Sequence, residues 1–278
     1  MALKLMYITN KPEVASIIDE LGVNRVFLDL EINGKDNRQG HLDTVISRHS
    51  IDDVAKLKGV IKNGELLVRC NPVFEGSKEE IDRIINDGAD IIMLPYFKTV
   101  EEVKTFVELV DGRVKTDLLF ETPEAVELVD EILNVGGIDE VHIGLNDMHL
   151  GYGLAFMFEL LTNGVVDKLC EAFKRHNVPY GIGGIAALGK GALPAEFVIA
   201  EHYRLGSSCA ILSRSFCNLK EINNLDEFTE VFSKGLINTR KFENKLLGEN
   251  EDYFKSNQEL VAKIVAKIVE QIKASREN

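Results

Sequence analysis

The chain has no Cys-x-x-Cys pair and no closely spaced cysteines among its four, Cys70, Cys170, Cys209 and Cys217. That excludes a disulfide framework or thiolate metal site of the usual spacing and leaves buried, reduced thiols. Basic runs are also missing: 32 Lys and Arg stand against 45 Asp and Glu, for a net charge of −13. A nucleic acid or an anionic membrane would need a positive patch that outweighs this field, so neither is an expected partner. No apolar run approaches the ~20 residues of a membrane span, and the apolar stretch at the N-terminus is too short for a signal peptide. Internal repeats and low-complexity tracts are absent too, and the cytoplasm is the expected location.

What is present is alternation. Short β-branched or apolar runs lie near Leu3–Ile8, Arg25–Leu30, Leu66–Cys70, Asp90–Leu94, Thr116–Phe120, Glu140–Gly144, Pro179–Ile182 and Ser207–Leu212, with amphipathic stretches between them. Ile81, Ile84 and Ile85 share one face of Ser77–Asp87, and Val103, Phe106, Val107 and Val110 one face of Val100–Val110. Eight βα units in 278 residues predict an α/β fold closed into a (β/α)₈ TIM barrel rather than an open doubly wound sheet. The barrel is expected over residues 1–222 as the catalytic domain. Residues 223–278 lack strand-like runs and carry an apolar stripe (Leu260, Val261, Ile264, Val265, Ile268, Val269, Ile272), which predicts a helical extension packed on its own barrel or on a neighbouring subunit.

Catalytic groups of such barrels sit at the carboxyl ends of the strands. Here strand two ends Asp29-Leu30-Glu31, strand three Arg69-Cys70-Asn71-Pro72, strand five Glu121-Thr122-Pro123 and strand six Gly144-Leu145-Asn146-Asp147. Asp29 and Glu31 follow Phe27 in alternation, so they point inward together or not at all. Glu121 and Asp147, on adjacent strands at one end, suit Mg²⁺ or Mn²⁺, hard cations that leave positions open for water and substrate. Arg69 would place a permanent cation where an enolate oxygen gains charge. Each acid has an alternative as a helix cap, and Thr122-Pro123-Glu124 is a good helix start. Convergence of acids and an arginine on one mouth is what capping does not explain.

These stretches resemble the HpcH/HpaI aldolase and citrate lyase family of phosphoenolpyruvate/pyruvate-binding barrels. The likeness is carried by VFLDLE (Val26–Glu31), LLVRCNP (Leu66–Pro72), GADIIMLPYFKTVEEV (Gly88–Val103), LLFETPEAVELVDEIL (Leu118–Leu133) and GIDEVHIGLNDMHLGYG (Gly137–Gly153). It implies that Glu121 and Asp147 are the metal ligands, that Arg69 contacts the carbonyl that becomes the enolate, and that Asp29 and Glu31 belong to the acid–base or water-holding network. It also implies that the backbone N–H groups around Gly144, Leu145 and Asn146 take the pyruvate carboxylate, a helix-start anion site. The implied activity is metal-dependent carbon–carbon lyase or aldolase chemistry on a 2-oxo acid, with an aldehyde or acyl partner, in a homo-oligomer.

The chain departs from the resemblance after Glu31. Ile32 stands where aldolases of the family have a histidine and the citrate lyase-like members an aspartate, leaving His41, in the polar stretch of the long connection from Glu31 to Glu65, as the candidate proton carrier and making a CoA ester a poorer substrate. Gly184 to Lys190 reads G-x-x-x-x-G-K, but Gly191 replaces the Ser or Thr of a P-loop. Lys190 and Arg214 remain candidate contacts for an anionic substrate group, with a tight glycine turn as the alternative. His202 is expected on a helix face or at a subunit contact. No lysine ends strand six, which disfavours a Schiff-base aldolase. Two further readings stay open: a phosphoenolpyruvate-using or CoA-ester enzyme on the same site, and a non-catalytic pyruvate or sugar-acid binding protein.

Overall fold

Eight parallel strands pair in chain order and close β8 back on β1. The computed structural model describes residues 2–33, 49–218 and 222–276. The strands are β1 (Lys4–Ile8), β2 (Arg25–Asp29), β3 (Glu65–Arg69), β4 (Ile91–Leu94), β5 (Lys115–Phe120), β6 (Glu140–Ile143), β7 (Tyr180–Ile185) and β8 (Cys209–Leu212). This is a TIM barrel, and each strand overlaps one of the eight apolar runs of the sequence. Between them lie α1 (Pro12–Glu20), α2 (Asp53–Lys58), α3 (Ser77–Asn86), α4 (Val100–Val110), α5 (Pro123–Glu127), α6 (Val129–Leu133), α7 (Leu145–Gly151), α8 (Val165–Arg175) and α9 (Ala195–Leu205). Two long helices follow, α10 (Leu225–Leu246) and α11 (Glu251–Arg276). Among the described residues no helix is long and apolar enough to cross a membrane.

Strand alternation divides the core in two. Outward residues such as Val26, Leu28, Leu66 and Val68 meet the helices, whereas Met6, Phe27, Leu67, Ile91, Met93, Leu119 and Cys209 fill the barrel interior. The interior is therefore packed, not a pore. Its floor, at the amino ends of the strands, is charged: Arg25, 1% exposed, pairs with Glu65 at 3.0 Å and Glu140 at 2.6 Å. Asp117, the register partner of Glu140, is buried beside them, and its Oδ1 has no hydrogen-bond partner among the described residues.

Burial and the neighbouring Glu140 push the Asp117 carboxyl well above its usual range, with Arg25 acting in the opposite sense. A folded-state value raised above the unfolded one means stability that is fully present at low pH and lost as pH climbs through the folded value. Asp117→Asn keeps the neutral shape and removes that loss. Thermal melts from pH 5 to 9 should fall more steeply for the wild type, with the variant ahead by roughly 2 °C or more at the alkaline end. Parallel curves would show that Asp117 is ionised in the folded protein.

One strand is irregular. Gly181 pairs with Cys209 but Gly184 with Ile211, so β7 carries one extra residue, a bulge at Gly183, whose φ is +43°. His142 of β6 fits against Gly181, where a Cβ would overlap its ring, and its Nε2 bonds the Gly183 carbonyl at 3.0 Å. Burial lowers this histidine to about 4, against the opposing effect of the Gly183 bond, so it is neutral near pH 7. Bulges at barrel rims redirect the residues beyond them, and here β7 continues to Ile185, past the predicted Ile182.

The terminal helices cover the barrel to which they are joined. Glu243 of α10, 1% exposed, accepts the Leu3 N–H at 2.7 Å and the Tyr203 hydroxyl at 3.2 Å. On α11, Asn257 donates to Glu201 of α9 at 2.8 Å, and Val261 and Val265 are buried. The front of the predicted apolar stripe thus packs on its own chain. His202, expected on a helix face or at a subunit contact, lies on α9 and faces inward: it is 1% exposed and bonded to Ser207 Oγ at 2.9 Å.

Candidate active site

Asp29 and Arg69 are register partners at the carboxyl ends of β2 and β3. Because Phe27 and Leu67 face the interior, residues two further on face it as well, and the two charges meet in the barrel mouth. Arg69 donates Nε to Asp29 Oδ1 at 2.9 Å and Nη2 to Asp29 Oδ2 at 2.8 Å, a two-point fork, and lies 3.5 Å from Glu31 Oε2. Its guanidinium also stands over the Phe27 ring at 5.6 Å. Asp29 is 2% and Glu31 0% exposed. Charges so deeply placed persist only when paired, and the pairing is present. Burial works against the Arg69 charge, but Asp29, Glu31 and Glu121 together raise its pKa above the ordinary arginine value.

Glu121 directly follows β5 and is 3% exposed. The helix-capping role that a strand-end acid can play is taken by its neighbour: Thr122 Oγ1 accepts the Ala125 N–H at 3.2 Å, and Pro123 opens α5. Glu121 is left to face the mouth, where Oε1 accepts the Tyr96 N–H at 3.0 Å. Tyr96 has a φ of +49°, in the left-handed region that side chains seldom adopt and that tends to occur at functional sites. Opposite stands Gly144, where a Cβ would sit 2.8 Å from both Cβ and Oε2 of Glu121. Any side chain there would displace the carboxylate. Asp147, 5% exposed, lies in the first turn of α7, which Gly144 precedes.

The site residues read from the sequence divide accordingly. Asp29, Glu31, Arg69 and Glu121 converge, with Gly144 against Glu121 and Asp147 on the adjoining helix start. Gly144 does not offer its own N–H to a ligand, since that group donates to the Phe120 carbonyl at 2.9 Å. Only Leu145 and Asn146, at a helix start where first-turn N–H groups have no intrahelical acceptor, suit a carboxylate. Lys190 and Arg214 are exposed in the loops after β7 and β8, which join through Ala187 N–H to Ser215 O at 3.4 Å. Of the glycines ahead of them, Gly181 accommodates the His142 ring and Gly183 forms the bulge. His41 lies outside the described residues.

Two participants went unforeseen. His49 accepts the Asp29 N–H on Nδ1 at 3.2 Å, so the neutral ring carries its proton on Nε2. Asn71 accepts the N–H groups of both Ile32 and Asn33 at 2.9 Å.

Among the described residues no group of three or more His, Cys, Asp or Glu could hold a metal ion. The pair Glu121 and Asp147 nevertheless suits a hard divalent cation: both are buried carboxylates at adjoining strand ends, and the missing Cβ at Gly144 keeps space beside Glu121 Oε2.

No curated protein matches this chain. Solved structures do. The HpcH/HpaI aldolase of Desulfitobacterium hafniense DCB-2 has 18% identity and a TM-score of 0.60, with 84% of this chain and 92% of that one covered. A HpcH/HpaI aldolase/citrate lyase family protein of Burkholderia cenocepacia J2315 has 15% identity and a TM-score of 0.61, covering 76% and 88%. The citrate synthase SbnG has 15% identity and a TM-score of 0.59, covering 87% and 95%. At such identities these likenesses show the fold alone. The family itself is shown by the sequence profile of the HpcH/HpaI aldolases and citrate lyases, which matches residues 5–156, more than half of the chain, and the chain belongs to that family.

Proposed function

We propose that the protein is a divalent-metal-dependent carbon–carbon lyase or aldolase that forms the enolate of pyruvate from a 2-oxo acid and exchanges an aldehyde or acyl partner at its methyl carbon. The observation that carries this reading is Arg69, a permanent cation held inside the barrel mouth by Asp29 and Glu31 and within electrostatic reach of Glu121. Mg²⁺ or Mn²⁺ held by Glu121 and Asp147 would supply Lewis-acid stabilisation of the negative charge that develops on the substrate.

The chain's own groups account for the rest. Arg69 directs its guanidinium to the 2-oxo oxygen, where charge accumulates, and Asp29 fixes its plane so that little reorganisation accompanies the reaction. The N–H groups of Leu145 and Asn146 receive the substrate carboxylate at the start of α7. Asp29 and Glu31 hold a water that carries the proton to or from the methyl carbon, a contribution of typically 10²- to 10⁴-fold. His49, with its proton on Nε2 beside Asp29, takes the place of His41 as the histidine of the proton path. The packed core beneath shields the site from bulk water on its inner side.

Incubation with pyruvate and Mg²⁺ or Mn²⁺ in D₂O tests this before any second substrate is known. The methyl signal should disappear from the NMR spectrum, and a chelator should stop the exchange. A protein that binds the metal and pyruvate yet leaves the methyl protons in place is a binding protein, not a lyase.

A further inference from the structure

The segment that follows Glu31 is held by an amide brace that belongs to no recognised part of the site. Three consecutive backbone N–H groups are engaged there: Glu31 N–H donates to Asp29 Oδ1 at 3.2 Å, and Ile32 and Asn33 both donate to Asn71 Oδ1 at 2.9 Å. Asn71 is itself oriented. Its backbone N–H donates to Glu80 Oε2 at 3.1 Å and its side-chain Nδ2 to Glu80 Oε1 at 2.6 Å. Those two donors fix which end of the amide faces the β2 segment. Glu80 comes from α3, the helix after β3, so one carboxylate on the barrel's outer layer determines where the end of β2 runs.

We propose that Asn71 and Glu80 act as a positioning pair that holds Glu31 against Arg69 in the reactive geometry. The inference rests on the enolate chemistry proposed above and assigns it two further residues, neither of which touches substrate. Glu31 is fully buried, 0% exposed, and its carboxylate lies 3.5 Å from Arg69 Nη2, longer than the Asp29 contacts. Asp29 needs no outside help, being locked to Arg69 at two points across a strand register. Glu31 lies beyond the last residue of β2, outside the ladder, and its backbone is held by side chains instead. Those side chains are Asp29 and, one residue on, Asn71.

The chemistry of the brace permits a reciprocal exchange. Asn71→Asp alone sets two carboxylates face to face. Glu80→Gln alone offers an amide with one acceptor oxygen to two donors. Asn71→Asp combined with Glu80→Gln restores every contact and reverses only the one between the side chains: the new carboxylate accepts from Ile32, Asn33 and the Gln amide, and the Gln oxygen accepts the residue-71 N–H. Net charge is unchanged.

The experiment measures pyruvate methyl exchange in D₂O for wild type, N71D, E80Q and the double variant, with Mn²⁺ affinity by electron paramagnetic resonance and melting temperature beside it. A misplaced catalytic group costs rate rather than binding, so N71D should lose about 10-fold in exchange rate at saturating pyruvate, and E80Q less. The pyruvate KM and the Mn²⁺ affinity should stay within about 2-fold of wild type, because Glu121 and Asp147 come from other elements of the barrel. The double variant should recover to within about 3-fold of wild type. Should N71D not fold, Asn71→Ala, which cannot repel Glu80, takes its place. Unaltered exchange in a folded N71D, or a double variant no faster than its slower parent, overturns the positioning role. A wild-type protein without exchange overturns the enolate reading and this inference with it.

Discussion

Glu121→Ala and Asp147→Ala should each abolish measurable pyruvate exchange, a loss of about 10³-fold or more, while the barrel stays folded. The size follows from the charge balance. Stabilising a developing oxyanion by a divalent cation is worth several kcal/mol, and each 1.36 kcal/mol is a factor of ten in rate. Removing one of two carboxylates leaves a site with half its anionic donors, and the cation departs at ordinary concentrations. Mn²⁺ titration should therefore show the same loss as turnover. Stability should respond little. Glu121 accepts the Tyr96 N–H, but α5 does not depend on it, since Thr122 continues to cap that helix. A conservative check is available in Gly144→Ala: its Cβ would lie 2.8 Å from Glu121 Oε2, so it should weaken Mn²⁺ binding with every ligand still present. Full activity in either carboxylate variant would remove the two-carboxylate site, and the functional reading with it.

How far such a site is legible before any coordinates depends on which groups carry it. Side chains on regular strands were partly readable: alternation tied Asp29 and Glu31 to the face of Phe27, and the structure shows that face to be the barrel interior. The choice between Glu121 as ligand and as helix cap was not readable from Glu121 itself, but Thr122-Pro123 beside it already contained the better cap. Groups that act through the backbone leave no such trace. The Tyr96 N–H has no side-chain signature, and the commitment of the Gly144 N–H to Phe120 follows from a register that only pairing reveals. Glycine is opaque in a similar way, because the sequence shows Gly181 without showing what occupies the vacated space beside it. His142 occupies it, brought there by the neighbouring strand. His49 and Asn71 are long-range in the same sense: His49 is 20 residues from Asp29 and Asn71 39 from Ile32. No periodicity connects residues so far apart along the chain.

Arg69→Lys should lower the exchange rate by about 10²- to 10³-fold with the Mn²⁺ affinity unchanged, and it separates chemistry from folding better than Arg69→Ala does. Truncation to alanine leaves Asp29 and Glu31, 2% and 0% exposed, without their cation, and breaking such a buried pair typically costs 3–5 kcal/mol. A lost activity would then be hard to separate from a loosened barrel. Lysine keeps the charge and most of the stability, but not the geometry. One ammonium is a point charge, whereas the guanidinium meets both oxygens of Asp29 at 2.9 and 2.8 Å and still reaches toward Glu31 at 3.5 Å. Its ammonium would settle between the two carboxylates rather than direct a donor into the mouth. Loss of one preorganised donor to a developing oxyanion costs about 2.7–4 kcal/mol, which sets the expected factor. If Arg69 were only a structural counter-ion, lysine would satisfy most of its charge and exchange would remain near the wild-type rate. The melting temperature and the exchange rate of this one variant should therefore part company: a modest fall in the first, and a collapse of the second.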